Sequence, residues 1–127
     1  MTATTRLWVR LEHVALLAVA SLLALMHLSQ LSWLHFIAAF VAIDLIGYIP
    51  GAIAQRRAGS AAISPLFHHL YNFTHSYLVA GVLVGAWALA GGFEWAMLAV
   101  PIHLSIDRGL FGNTYKPTSL PFEPREA

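Results

Sequence analysis

Four apolar stretches separated by short polar breaks constrain this chain more than any other feature. They run from about Leu11 to Leu28, Trp33 to Ile49, Leu66 to Ala90 and Phe93 to Leu110. Each approaches the roughly 20 apolar residues that carry an α-helix across a bilayer. One such stretch could be a buried helix of a soluble core. Four of them in 127 residues leave too little polar sequence to coat a globule. Composition agrees: only 10% of the residues are charged, against about 25% in a soluble domain. The expected fold is an all-α, four-helix transmembrane bundle forming one domain over residues 1–127. Val14 to Met26 after Arg6 and Arg10 has the outline of a signal peptide. No small-x-small cleavage site follows it, so the expectation is a retained first helix.

Basic residues set the expected orientation. Arg6 and Arg10 precede the first stretch, Arg56 and Arg57 lie between the second and third, and Arg108, Lys116 and Arg125 end or follow the fourth. The breaks at Ser29 to Ser32 and at Gly91-Gly92 contain no Lys or Arg. The positive-inside rule then places both termini in the cytoplasm, with the helices paired as two antiparallel hairpins. The expected location is the inner (cytoplasmic) membrane, multi-pass. Trp33, Trp87 and Trp95 would mark the outer interface, Trp8 and Tyr48 the inner one. The tail from Tyr115 to Ala127, with Pro117, Pro121 and Pro124, reads as irregular. Membrane lipid is the expected partner, with a homo-oligomer or a larger membrane complex open. A net charge of +1 without a basic run gives no reason to expect nucleic acid.

An ionisable side chain inside the bilayer costs roughly 2.5–3.5 kcal/mol on insertion scales, so each one needs a reason to be there. Here they gather in the half of each stretch expected to face the cytoplasm. Glu12 and His13 lie early in the first, and Asp44 late in the second. His68, His69, Asn72 and His75 lie early in the third, and His103 and Asp107 late in the fourth. His68, Asn72 and His75 are spaced i, i+4, i+7 and share a helix face, as do His103 and Asp107 at i, i+4. His69 points elsewhere and is the weaker candidate. His27 and His35, at the outer ends, read as histidines satisfied by a neighbour, and His13 as an interfacial flank. Glu12 has a structural alternative, an ion pair with Arg10 or Arg108; Asp107 has one with Arg108.

Imidazoles and carboxylates converging from several helices are how metal sites are built in helix bundles. The chain has no Cys, which excludes thiolate ligands. A donor set of His and carboxylate suits a divalent ion such as zinc, iron or manganese. The expected ligands are His75, His103, Asp107 and His68. Asp44 is a further ligand or the general base, and Glu12 a supporting or second-metal carboxylate. Asn72 and Arg108 are candidates for holding substrate. With Glu12, Asp44 and Asp107 all contributing, the site would be dinuclear.

These residues also carry a resemblance. Leu11-Glu12, Asp44 with Gly47-Tyr48, Tyr71-Asn72 with His75-Ser76-Tyr77, and His103-x-x-x-Asp107-Arg108 resemble a small bacterial integral-membrane family classed only as a domain of unknown function. Its pattern is R-L-E-G, P-D before G-Y, Y-N-x-x-H, and H-I-G-x-D-R before G-Y-G-L-K-Y. The likeness runs from about Leu7 to Pro117. His13 stands where that pattern has Gly, and Ile43 where it has Pro. It implies an integral-membrane fold and no known activity. A looser likeness joins His68 to Ser76 and His103 to Asp107 to the H-R-x-x-T-H-S and H-L-x-x-D elements of inner-membrane-associated metal-dependent hydrolases. His69 or Leu70 replaces the Arg of the first element. That likeness implies His68 or His69, His75, His103 and Asp107 as ligands.

The leading functional expectation is therefore a metal-dependent membrane enzyme, hydrolysis favoured, acting on an amphipathic or lipid-like substrate at the cytoplasmic half of the bilayer. The alternatives are an accessory or structural subunit of a membrane complex, and a dinuclear-iron oxidoreductase. A channel or transporter is disfavoured, because the polar residues occupy one half of the membrane and trace no path across it.

Overall fold

A computed structural model describes residues 1–123; Pro124, Arg125 and the residues after them lie outside the described part. The chain is helical, with no strand among the described residues. Helix α1 spans Ala3–Met26, α2 Trp33–Gly47, α3 Ile49–Ala58, α4 Pro65–Thr74, α5 Tyr77–Gly91 and α6 Ala99–Ser105. Two rods, Ala3–Met26 and Trp33–Ala58, are long and apolar enough to cross a membrane. A third exists if the bent pair α4 and α5 counts as one span.

The differences from the four expected stretches have local causes. α1 starts earlier than Leu11 because the Thr2 hydroxyl accepts from Thr5 N at 3.1 Å and caps it. Pro50-Gly51 does not stop the second rod. Tyr48 keeps a helical backbone, and Pro50 falls at the start of α3, where an N–H would go unused. The third stretch is broken, with α4 and α5 bent by 56°. Thr74 Oγ1 donates to the Leu70 and Tyr71 carbonyls at 3.0 and 3.1 Å, bringing a side chain into the last turn of α4. The Ser76 hydroxyl then caps α5. The fourth stretch begins as a 3-10 turn at Trp95–Leu98, becomes α6, and widens into a π turn over Ile106–Phe111. Gly112, left-handed at φ 70°, ends it.

α1 packs on α6 and the π turn, while α2 packs on α4 and α6. α5 stands largely apart. Only its Ala80 is buried, and Leu78, Val82, Leu83 and Leu89 are exposed. The two ends of the molecule differ in chemistry. At one, Trp95 Nε1 donates to Gln30 Oε1 at 3.0 Å, the Trp95 ring stacks on His27, and His35 pairs with Glu94. At the other, Arg10 Nε and Nη2 donate to the Gly109 and Leu110 carbonyls at 3.1 and 2.9 Å. A cation there suits the carbonyl end of the helix.

Gly109 sets the spacing between α1 and the π turn. A Cβ at this position would lie 3.0 Å from Val14 N and 3.2 Å from the His13 carbonyl carbon, both backbone atoms. Backbone cannot rotate out of the way as a side-chain tip can. Gly109→Ala is expected to cost about 1–3 kcal/mol, the usual range for overpacking. Thermal unfolding in detergent, compared with wild type, measures it.

Candidate metal centre

Three segments bring four ligands together. Asp44 lies in the last turn of α2. His75 caps the C-terminus of α4, at the bend. His103 lies in α6 and Asp107 in the π turn that follows. A π turn is a frequent mark of a functional site, because its wider ring re-aims a side chain. α2 and α4 approach closely where Gly47 faces Thr74: a Cβ on Gly47 would fall 1.9 Å from Thr74 Oγ1 and 3.4 Å from His75 Cε1. The missing side chain lets Asp44 stand beside His75.

One ligand atom from each of Asp44, His75, His103 and Asp107 lies within 4.8 Å of all the others, so the four can hold a metal ion. His75 Nε2 is 3.2 Å from Asp44 Oδ1 and 3.2 Å from Asp107 Oδ2. His103 Nε2 is 3.3 Å from Asp44 Oδ1 and 3.5 Å from Asp107 Oδ2. Two physical accounts compete for these distances. Charge-assisted hydrogen bonds between imidazolium and carboxylate would settle at about 2.7–2.9 Å. Ligand atoms on a tetrahedron about 2.0–2.1 Å from a central zinc would be separated by about 3.3–3.4 Å. The four His–Asp separations are longer than such hydrogen bonds and close to the tetrahedron's edge, within a group that spans up to 4.8 Å.

The outer nitrogens point the same way. His75 Nδ1 donates to the Tyr71 carbonyl at 2.9 Å, and His103 Nδ1 donates to the Phe40 carbonyl at 2.8 Å. A carbonyl only accepts, so each Nδ1 carries a proton. In a neutral imidazole Nε2 is then the bare lone pair, aimed at the centre. Two lone pairs facing two carboxylates need either two extra protons or a cation. Both imidazoles are buried. The two carboxylates are not equivalent: the Asp107 side chain is 17% exposed and that of Asp44 42%.

The other candidates lie elsewhere. His68 does not join the group. Its Nε2 donates to the Leu120 carbonyl at 2.9 Å, and its ring packs on Phe122. Its position two turns before His75 shares the face but not the point, because the ligand position is reached at the C-terminal end of α4. Glu12 is exposed on α1 and makes no ion pair among the described residues. Its expected partners are occupied, Arg10 by the π-turn carbonyls and Arg108 by the His75 carbonyl at 3.0 Å. Without Glu12 the third carboxylate of a dinuclear site is missing. The Asn72 amide uses both ends on Lys116, donating to its carbonyl at 2.9 Å and accepting its N–H at 2.6 Å. Arg108 sits between the Tyr77 and Tyr115 rings at 4.8 and 5.0 Å. Its hydrogen bond lowers the pKa of the Tyr115 phenol, assisted by Ser76. His13 and His27 each bond a backbone carbonyl on their own helix.

Sequence reasoning missed the residues that orient the ligands: Tyr71, Thr74, Gly47 and the Phe40 carbonyl. Only Gly47 and Tyr71 had a signal, as parts of the G-Y and Y-N-x-x-H elements. The chain matches no protein-family model, no curated protein and no solved structure.

Proposed function

We propose that this is a multi-pass protein of the inner membrane and a metal-dependent enzyme, with zinc on Asp44, His75, His103 and Asp107 and hydrolysis as its chemistry. The observation that carries the reading is the ring of 3.2–3.5 Å separations among two imidazole nitrogens and two carboxylate oxygens. A four-span arrangement with both termini cytoplasmic is supported by the contacts at the two ends. Arg10, Arg108 and Lys116 engage the segments around the π turn and tail, while Trp95, Gln30 and His27 meet at the opposite end. α6 and its π turn are short for a span, and α1 and α2 would shield them.

A catalytic zinc keeps three protein ligands and one exchangeable position. Asp44 is the ligand suited to leave, since its side chain is the more exposed carboxylate. His75, His103 and Asp107 would then hold the ion, which would supply an activated water. Zinc lowers the pKa of such a water to about 7. Asp44 would serve as the base beside the ion, and the chemistry the ion would supply is hydrolysis of an ester or phosphodiester. The substrate class is amphipathic or lipid-like, because the group lies among apolar helices.

One observation favours a second reading. Four protein ligands on one ion is the arrangement of a closed, structural zinc site. The exposed face of α5, with open space beside Gly81 and Gly85, suits an accessory subunit packed against a neighbouring helix.

Elemental analysis of the detergent-purified protein separates these readings. Wild type is expected to hold about one equivalent of zinc, and His103→Ala almost none. Asp44→Ala should keep the ion while losing hydrolysis of amphipathic ester or phosphodiester reporters. Loss of zinc in Asp44→Ala as complete as in His103→Ala would favour the closed site and the accessory subunit. Wild type free of stoichiometric metal would sink the metal reading.

A further inference from the structure

The tail is expected to be irregular, and among the described residues 115–123 it has no helix or strand. One of its side chains, however, is built into the core. Phe122 is fully buried. Its ring lies 6.0 Å from Tyr48, 6.0 Å from Tyr71 and 5.5 Å from His68. Gly51 forms the floor of this seat, where a Cβ would come within 2.4 Å of the Phe122 ring. Polar contacts hold the segment on either side. Phe122 N donates to Gln55 Oε1 at 3.2 Å, and Tyr48 OH donates to the Glu123 carboxylate. The Asn72 amide fixes both backbone groups of Lys116. Lys116 Nζ donates to the Phe122 carbonyl at 2.6 Å and lies 4.7 Å above the Tyr71 ring. Burial lowers the pKa of this ammonium, although Glu123 and Asp107 act to raise it.

All of this converges on Tyr71, which is buried and touches a metal ligand twice. Its ring stacks on the His75 imidazole with centroids 3.9 Å apart and planes 14° apart. Its carbonyl accepts the His75 Nδ1 proton. Phe122 meets the Tyr71 ring edge-on at 89°, and Lys116 covers a face. The imidazole therefore rests on a side chain whose own position the tail fixes.

We propose that the strap Lys116–Glu123 is part of the metal centre: Phe122 and Lys116 are positioning residues that clamp Tyr71 against His75 and hold the imidazole in its ligating orientation. This rests on the metal reading above. Partners that orient a ligand typically change metal affinity 10- to 100-fold when removed. Phe122 acts through one intermediate residue, which puts its effect near the lower end. Coupling of this kind is reciprocal, so metal binding must also tighten the strap.

The test is competitive zinc titration of the full chain in detergent, beside the visible spectrum of cobalt(II) bound in place of zinc. Phe122→Ala and Tyr71→Leu are expected to weaken zinc about tenfold or more and to alter the cobalt spectrum. Tyr71→Phe keeps both ring and carbonyl and is expected to behave as wild type. Zinc should slow hydrogen exchange at the Lys116 and Phe122 amides, which are held by Asn72 and Gln55. Wild-type zinc affinity and an unaltered cobalt spectrum in Phe122→Ala would overturn the strap's role while leaving the metal site standing. Should Phe122→Ala fail to fold, the Tyr71 pair decides: equal affinity in Tyr71→Leu and Tyr71→Phe overturns the clamp. A wild type that binds no zinc removes both proposals together.

Discussion

Stripping zinc from the wild-type protein with a chelator is expected to lower its unfolding temperature sharply, and His103→Ala is expected to show no such response. A ligand that binds only the folded state stabilises it by RT ln(1 + [L]/Kd), about 4 kcal/mol when free ligand is a thousandfold above Kd. The geometry explains why the loss should be large. Without a cation, the buried His75 and His103 direct Nε2 at two carboxylate oxygens with no charge between them. The group must then take up protons or move apart. The shift should grow with the logarithm of free zinc in wild type. Identical unfolding temperatures with and without zinc, across a hundredfold range, would mean that the four residues form a hydrogen-bonded cluster and hold no ion.

The sequence made some of this arrangement legible because helical spacing converts directly into faces. His103 and Asp107 at i, i+4 fall on one side of a helix whatever the rest of the fold does. The π turn modifies that relation without breaking it. The concentration of ionisable residues in one half of each apolar stretch carried the rest, since their cost in lipid demands partners. Spacing could not tell how far along a face the meeting point lies. His68 and His75 share a face of α4, yet only the residue at its C-terminal end reaches Asp44. Glu12 was a reasonable candidate by depth alone. α1 meets the π turn where His13 and Val14 face Gly109, and Glu12 is exposed and outside the group of four. The partners of Asn72 and Arg108 are backbone groups, which side-chain spacing does not reveal. Asn72 is bonded to the Lys116 backbone and Arg108 to the carbonyl at the bend. The strap was invisible to spacing as well: Phe122 is one aromatic residue among prolines, and its burial depends on a seat made by Gly51 far away in sequence.

Gly47→Ala is the single methyl group expected to disturb this site most. The new Cβ would stand 1.9 Å from Thr74 Oγ1 and 3.0 Å from Thr74 Cβ, well inside contact distance. Thr74 cannot turn aside without cost, because Oγ1 donates to the Leu70 and Tyr71 carbonyls and lies 3.0 Å from His75 Nδ1. Either those bonds break or α4 moves off α2. The first releases the bend that presents His75; the second draws His75 away from Asp44, now 3.2 Å distant. Overpacking of this kind costs about 1–3 kcal/mol in stability. Each further factor of ten in metal affinity corresponds to about 1.4 kcal/mol, so misplacing one ligand should weaken zinc by at least tenfold. Thr74→Ala removes the hydroxyl that meets the new methyl and leaves only the 3.0 Å approach to its Cβ. The double variant Gly47→Ala/Thr74→Ala should therefore bind zinc more tightly than Gly47→Ala alone. In a double-mutant cycle on zinc affinity and unfolding temperature, the two changes should be non-additive in the direction of rescue. Strict additivity would show that Gly47 acts elsewhere than at Thr74. Wild-type zinc affinity in Gly47→Ala would show that the spacing of α2 and α4 does not set the geometry of the ligands.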